Sequence, residues 1–377
     1  MVEVMTRGFD ARALGNLPAA PAFVGALRRR ALEEFLALPI PSQETEEWRY
    51  TDLSGLDLSL VPFVEGATAA TLDAAPTAVR DALADLGPRS GLRVQHDSTT
   101  MLVTLDPAAA AQGVVFDDLD RAAAARPDLV EPYLHALVPT GRSKFTALHG
   151  AFRTGGTFLH VPDGVRVELP LHALTYLDAD GSAIFPHTLV VAGRESEVTL
   201  VDRYVSPALG AALADAVVEL HLGAGAHVRY VSLQEWGDGV THLGVQRAGL
   251  ARDAELRAVS VGFGASLARA EAESILGEPG ASSEMLGVFF ADDRQHFDHR
   301  TEQDHVAPNC TSDLLYKGAL RDASRGVFSG WVHVRPGAQR TDAMQTSRNV
   351  ILSESAFARA IPNLEIEAND VKCGHAA

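Results

Sequence analysis

The pattern of hydrophobic and polar positions changes markedly along the chain. In PAFVGALRRRALEEFLAL (21–38), apolar side chains recur near the 3.6-residue period of an α-helix, at Phe23, Leu27, Ala31, Phe35 and Leu38. Pro39 and Pro41 end this predicted helix, because proline lacks an amide donor and disfavours helix in the residue before it. Residues 1–140 are alanine-rich and are expected to form a mainly helical N-terminal domain.

From about Phe145 the pattern becomes one of short stretches of Val, Leu, Thr and Tyr separated by Gly, Pro and Asp, as in GRESEVTLVDRYV. Such stretches predict strands. Comparable strand starts recur about every 29 residues, at Glu197, His227, Glu255, Glu284, Asp313 and Asp342. The next step of the same length reaches Val371, and three turn glycines keep twice this interval: Gly223, Gly280 and Gly337.

A period of this length is too short for a four-stranded propeller blade, and it contains no helix of the ankyrin or tetratricopeptide kind. It favours a solenoid whose coils, each of several short strands, bury apolar side chains against their neighbours. Residues 141–377 are therefore predicted to form a β-solenoid core domain. An antiparallel sandwich with evenly spaced hairpins is the alternative.

Composition and charge exclude several functions. A formal net charge of −17 opposes nucleic-acid binding, which draws on clustered Lys and Arg. The basic cluster Arg28 to Arg30 falls inside the predicted helix and is interpreted as a solvated face. No apolar run is long enough to cross a membrane as a helix, and the start of the chain, MVEVMTRGFDARALGN (1–16), lacks a signal-peptide core. We therefore expect a cytoplasmic protein without membrane association.

Most candidate chemistry in the sequence has a simpler structural interpretation. No GxGxxG, GxxxxGK[ST] or GxSxG motif is present, so nucleotide binding and serine hydrolysis have no support. The stretch from His296 to His305 is rich in imidazole and carboxylate, but alternation along a strand places His299 on the opposite face from His296 and Asp298. Scattered Asp and Arg along the repeat leave open a β-helix carbohydrate-active enzyme using paired carboxylates.

The tail holds one pair of possible metal ligands. There are two cysteines, Cys310 and Cys373, with no CxxC spacing, so neither a disulfide framework nor a self-contained zinc site is indicated. Cys373 and His375 stand two residues apart, so on a strand they project from the same face, and both are competent ligands for soft or borderline metals. Two ligands make half a site, which a second subunit would complete. A buried cysteine beside a surface histidine is the alternative.

The segment AIPNLEIEANDVKCGHA (360–376) resembles the P-x-L-E-I-x-x-D-D-V-K-C-x-H-G signature of the SufD branch of the SufB/SufD family of iron-sulfur cluster assembly proteins. EEWRYTDL (46–53), FDHRTEQDHVAPNCTSDLLYKGAL (297–320) and GVFSGWVHVRPGAQRTDAMQTSRNVILS (326–353) resemble further motifs of that family in the same order. The SufB branch carries a His-Glu-Ala type motif where this chain has Cys373-Gly-His375.

The resemblance implies a right-handed parallel β-helix and a non-catalytic scaffold subunit that pairs with SufB through the β-helix. It implies Cys373 and His375 as interface and metal-ligating residues beside a transient iron-sulfur cluster, with no cofactor held stably by this chain alone. It also implies association with the ATPase SufC, to which any ATPase activity would belong. An isolated chain could form a homodimer through the same surface.

Two departures from the family pattern alter these expectations. Asn369 replaces the first aspartate of D-D-V-K-C, which removes a charge next to the pair. The family continues past Cys-x-His into a helical segment that contacts SufC, whereas this sequence ends at Ala377. The C-terminal helical segment is therefore expected to be missing from this chain.

Overall fold

The structure is a computed structural model that describes residues 8–56 and 58–377. Residues 1–7, part of the stretch inspected for a signal peptide, and Asp57 lie outside the described residues. Over the described part, seven α-helices form: α1 (Ala11–Gly15), α2 (Ala22–Ala37), α3 (Thr77–Ala82), α4 (Pro107–Ala111), α5 (Leu119–Ala125), α6 (Pro127–Val130) and α7 (Lys144–Phe152).

Strands dominate the rest of the chain. Those described are β1 (Gly91–His96), β2 (Thr99–Leu105), β3 (Val115–Asp118), β4 (Thr157–Val161), β5 (Leu171–Tyr176), β6 (Ala183–Ile184), β7 (His187–Ala192), β8 (Glu197–Val205), β9 (Ala212–Leu222), β10 (His227–Glu235), β11 (Val240–Leu250), β12 (Glu255–Gly262), β13 (Leu267–Leu276), β14 (Ser282–Ala291), β15 (His296–His305), β16 (Thr311–Leu320), β17 (Arg325–Val334), β18 (Thr341–Ile351), β19 (Phe357–Ile366) and β20 (Val371–Ala376).

The strands form two facing sheets. The first sheet has the order β2-β1-β5-β8-β10-β12-β14-β16-β18-β20, and the second has the order β19-β17-β15-β13-β11-β9-β7-β4-β3, with β6 beside β9. From β7 onward, successive strands alternate between the sheets and every ladder within a sheet is parallel. The fold is the predicted parallel β-solenoid, and the antiparallel sandwich is excluded.

From β8 onward each coil contains two long strands, one in each sheet, so the expectation of several short strands per coil was wrong. A left-handed backbone residue marks the same corner of successive coils, at Glu195, Gly225, Asp253, Gly280, Asn309 and Arg340. Glycine adopts this conformation freely and Asn and Asp tolerate it, which suits four of the six corners, while Glu195 and Arg340 occupy the other two.

The register follows the predicted repeat with small shifts. Glu197, His227 and Glu255 are Cα partners on neighbouring strands, as the repeat predicts. Glu255 then pairs with Ser282, two residues before the predicted Glu284. A shift of two preserves which side chains face inward, since strand faces alternate with a period of two. The sequence pattern therefore gives the correct inner face while misplacing individual coil boundaries.

The N-terminal region combines helices with strands. Six of the described α-helices fall before residue 140, yet β1 to β3 also lie there and extend both sheets, and α7 follows the expected boundary. The boundary at residue 140 stays a prediction. In α2, Arg28 is buried and its guanidinium donates to the carbonyls of Pro18 and Arg153, so its assignment to a solvated face was wrong.

Candidate functional site

The predicted ligand pair lies on β20, the last strand of the first sheet. This strand pairs with β18 alone among the described strands, so that Cys373 stands opposite Ala343 and His375 opposite Gln345. β20 covers β18 only from Thr341 to Thr346, which leaves the rest of β18 without a neighbour on that side in the described structure. The pair therefore sits on an open sheet edge, where backbone donors and acceptors are free to pair with another chain.

Cys373 is half-buried at the end of the solenoid interior. It packs against a small apolar cluster made by Val332, Val334, Ala338, Ala343 and Ala368. His375 is exposed and, because strand side chains alternate, projects from the same face about 6.6 Å further along the strand. The two side chains share one face, as the sequence spacing predicts.

Burial raises the pKa of the Cys373 thiol, and the negative charge of Asp342 on β18 raises it further. A thiol with a raised pKa is protonated at neutral pH and is a weak nucleophile. It becomes a strong ligand only when a metal replaces its proton. In this chain alone, the pair can therefore provide a metal with one imidazole ligand and one thiol, which becomes a thiolate ligand when it loses its proton.

Exposed apolar side chains concentrate on the same coil. Val350, Ile351 and Leu352 at the uncovered end of β18 are 57, 46 and 62% exposed, and Met344 and Ile366 are also exposed. Exposed apolar side chains that are adjacent in this way commonly mark an interaction surface. We call Val350, Ile351 and Leu352 the terminal apolar patch.

The histidine-rich stretch forms β15 and is structural. His305 shares a 2.7 Å hydrogen bond with Ser312, and His299 is buried beside the rings of Phe289 and Tyr316. On the other face, Asp298 forms a buried ion pair with Arg269. These residues belong to no group of converging metal ligands found among the described residues, which agrees with the alternation argument.

The early EEWRYTDL motif packs against the solenoid. The guanidinium of Arg269 lies 3.9 Å from the centre of the Trp48 ring, and the Thr51 hydroxyl donates to Asp298 over 2.6 Å. Tyr50 accepts a 2.8 Å hydrogen bond from Arg359 on β19. The motif thus links the N-terminal region to the middle and last coils of the second sheet.

Comparison with known proteins adds the family. The family model described as "SUF system FeS cluster assembly, SufBD core domain" matches residues 175–377, more than half of the chain. The chain belongs to the SufB/SufD family. A second model, described as "SufBD protein N-terminal region", matches residues 99–173.

Individual relatives of the SufB/SufD family align over nearly the whole chain. The iron-sulfur cluster assembly protein SufD of Bacillus subtilis is 30% identical, with 95% of this chain and 82% of the relative covered. SufB of the same organism is 25% identical over 97% of this chain and 79% of its own length. A SufBD family protein of Staphylococcus saprophyticus is 26% identical, with 97% and 80% covered. The family resemblance is therefore confirmed, and it accounts for the solenoid.

The carbohydrate-active alternative gains no support. The outer face of the first sheet does carry a cleft of about 660 Å³ lined by acidic and basic side chains. Two of its four acids, however, are engaged along the coils, with Glu255 contacting His227 and Glu284 pairing with Arg257. No helix in the described ranges combines the length and apolar character needed to cross a membrane.

Sequence reasoning missed a buried group of three histidines. His135, His149 and His187 come from separate parts of the chain, a loop, a helix and a strand, and together they match no spacing motif. One signal was available in the sequence: Asp215, Glu219 and His221 interrupt the otherwise apolar run of β9. Polar residues in a buried strand need partners, so such an interruption indicates a polar cluster nearby.

Proposed function

We propose that this chain is a non-catalytic scaffold subunit of the SufD type, which pairs with a SufB-type solenoid and helps to build an iron-sulfur cluster at their interface. The observation that carries the proposal is the position of Cys373 and His375 on one face of β20, the last strand of the first sheet, whose other edge is open in the described structure. The higher identity to the Bacillus SufD than to its SufB supports the SufD assignment.

The chemistry of the pair suits a shared site. A thiolate and an imidazole are both ligands for iron, but they fill at most two positions of a metal that usually takes four ligands or more. The remaining ligands would come from the partner and from sulfide. The cluster is then cargo under assembly, and this chain alone does not hold it stably.

The partner surface is the last coil. The open edge of β20 offers unpaired backbone groups, and the terminal apolar patch offers area whose burial stabilises a complex. A second solenoid with its own open edge can add strands to both sheets. Without such a partner, two copies of this chain could pair about a two-fold axis. Association with a SufC-type ATPase and a cytoplasmic location stay predictions.

Hydrogen exchange tests the surface assignment. The chain is compared alone and after mixing with its cognate SufB-type partner. Amides of β19 and β20 should exchange more slowly in the mixture, while those of α2 should be unchanged. Protection confined to segments away from the last coil, in a complex that does form, would contradict the proposed interface. Protection of β20 in the isolated chain that grows with concentration would identify the homodimer instead.

A further inference from the structure

Three histidine rings meet between the second sheet and the N-terminal helices. His149 comes from α7, His187 begins β7, and His135 lies on the loop after α6 with a left-handed backbone at φ 57°. All three are buried, and their ring centres are 5.0, 5.2 and 5.6 Å apart. We call these residues the three-histidine cluster.

Two of the rings have one N–H committed to a main-chain carbonyl. His135 Nδ1 lies 2.9 Å from the carbonyl oxygen of Val138, and His149 Nδ1 lies 2.9 Å from that of Asp215. A carbonyl oxygen can only accept, so each Nδ1 carries the proton. The Nε2 atom of each neutral ring is then an unprotonated acceptor.

The third ring is oriented by Glu219. The carboxylate oxygens accept the backbone N–H groups of His135, Leu137 and Val138 over 2.7, 2.7 and 2.9 Å. His187 Nε2 lies 3.1 Å from the same carboxylate. Since the carboxylate is already an acceptor for three donors, the proton of this contact belongs to His187 Nε2. The Nδ1 atom of His187 is then unprotonated.

Three unprotonated nitrogens are left facing one another: His135 Nε2, His149 Nε2 and His187 Nδ1. His135 Nε2 is buried without a hydrogen-bond partner, and the other two are 3.1 Å apart with no proton between them. The hydrogen-bond geometry therefore leaves three acceptor nitrogens converging with no hydrogen-bond donor among them.

We propose that the three-histidine cluster is a binding site for one divalent transition-metal ion of borderline softness, of which zinc is the representative case. Three imidazoles on one tetrahedral zinc place their nitrogens about 3.3 Å and their ring centres about 5.2 Å apart, given zinc–nitrogen bonds near 2.0 Å. The observed ring triangle and the 3.1 Å nitrogen separation fit that arrangement. Each ring also donates its other N–H to a carbonyl or carboxylate, which is the usual way a ligating histidine is oriented.

The surrounding charges can accommodate a cation. Arg153, the residue that follows α7, is buried and forms a 2.8 Å ion pair with Asp120. Glu219 supplies a negative charge directly behind His187. Asp215 on β9 is buried, and its backbone carbonyl is the acceptor for His149 Nδ1. A bound ion would join α7 and the loop of His135 to the second sheet, which makes the site structural in character.

The test uses the complete chain carrying Cys373→Ala and His375→Ala, so that the tail cannot bind the metal. Metal content after purification, titration with Co²⁺ followed by visible absorption, and the melting temperature with and without Zn²⁺ are measured. We expect one metal per chain, a cobalt spectrum typical of tetrahedral nitrogen ligation, and a melting temperature raised by about 5 °C under saturating zinc. A folded chain that shows none of these responses would overturn the proposal.

Variants locate the response. His135→Phe keeps an aromatic ring but removes the unpartnered nitrogen, and it should abolish both the cobalt spectrum and the zinc-dependent shift in melting temperature. His160→Gln, at a half-buried histidine of β4 outside the cluster, should leave both unchanged. Retention of metal binding by folded His135→Phe would refute the site. If that variant fails to fold, the cobalt titration of the parent chain decides the matter.

Discussion

Cys373 has Ala343 of β18 as its backbone partner across the sheet, and no described strand pairs with its other side. The thiol faces the apolar end of the solenoid interior, while His375 on the same face is exposed. A ligand pair in this position is reached most directly by a chain that adds to the open edge. The edge, the apolar surface and the ligands therefore belong to one coil.

Neutralising Asp342 should make Cys373 more reactive. The Asp342 charge raises the pKa of the thiol, so Asp342→Asn lowers that pKa and increases the thiolate fraction at pH 8. The rate of iodoacetamide labelling at Cys373, followed by peptide mass spectrometry, should rise about 2-fold or more. Asp313→Asn, one coil away on the same face, serves as the control and should label at the parent rate. An unchanged or slower rate for Asp342→Asn would contradict the charge effect.

Metal loading at the proposed shared site should increase with pH. The raised pKa means that protons compete with metal for the thiol, so iron content of the assembled complex should be higher at pH 8.5 than at pH 7. In the Cys373→Ala complex, measured in parallel, the iron content should rise less between pH 7 and pH 8.5 than it does in the parent complex. Identical pH profiles for parent and variant would mean that Cys373 is not a ligand.

A charge in the terminal apolar patch should weaken partner binding without unfolding the chain. Ile351→Lys places an ammonium group where the proposed interface becomes dry, and we expect an affinity loss of about 10-fold or more, measured by isothermal titration with the SufB-type partner. Leu169→Lys, at an exposed leucine outside the last coil, is the matched control and should bind normally. Equal affinities of the two variants would place the interface elsewhere.

The architecture could be predicted because coil corners and strand faces leave periodic marks in the sequence. Glu197, His227 and Glu255 repeat at the observed spacing, and Cys373 and His375 share a face because strand alternation is local. The predicted equivalence of Glu255 with Glu284 fails by two residues because corner lengths vary between coils. The sequence pattern therefore predicts which face of a strand a residue occupies better than it predicts which residue of the neighbouring strand lies opposite.

Contacts between distant segments could not be predicted. Arg28 seemed solvated in its helix, yet its guanidinium reaches the Arg153 carbonyl, which is 125 residues away in the chain. The three-histidine cluster likewise joins segments that no local pattern relates. In the sequence, the open edge of β20 was indicated only by a ligand pair that makes half a metal site. The sequence does not show which strand lacks a neighbour.

Breaking the buried ion pair beneath the EEWRYTDL motif should destabilise the fold strongly. Arg269 and Asp298 are 2 and 1% exposed at their side chains, so Asp298→Ala leaves a buried guanidinium with only Glu271 as an acidic partner. We expect a loss of about 3 kcal/mol in the free energy of unfolding, measured by urea denaturation. Arg335→Ala breaks a pair with Asp304 in which the arginine side chain is 45% exposed, and it should cost about 1 kcal/mol or less. Similar losses for the two variants would contradict the assigned burial.

The central claim is tested most directly by the iron and sulfide content of the complex formed on co-expression with the cognate SufB-type and SufC-type proteins. Cys373→Ala and His375→Ala are compared with the parent, with Lys372→Ala as the control on the opposite face of β20. The account predicts that both ligand variants form the complex yet hold clearly less iron and sulfide, while Lys372→Ala matches the parent. Intact complexes with the same cluster content in all four forms would contradict it.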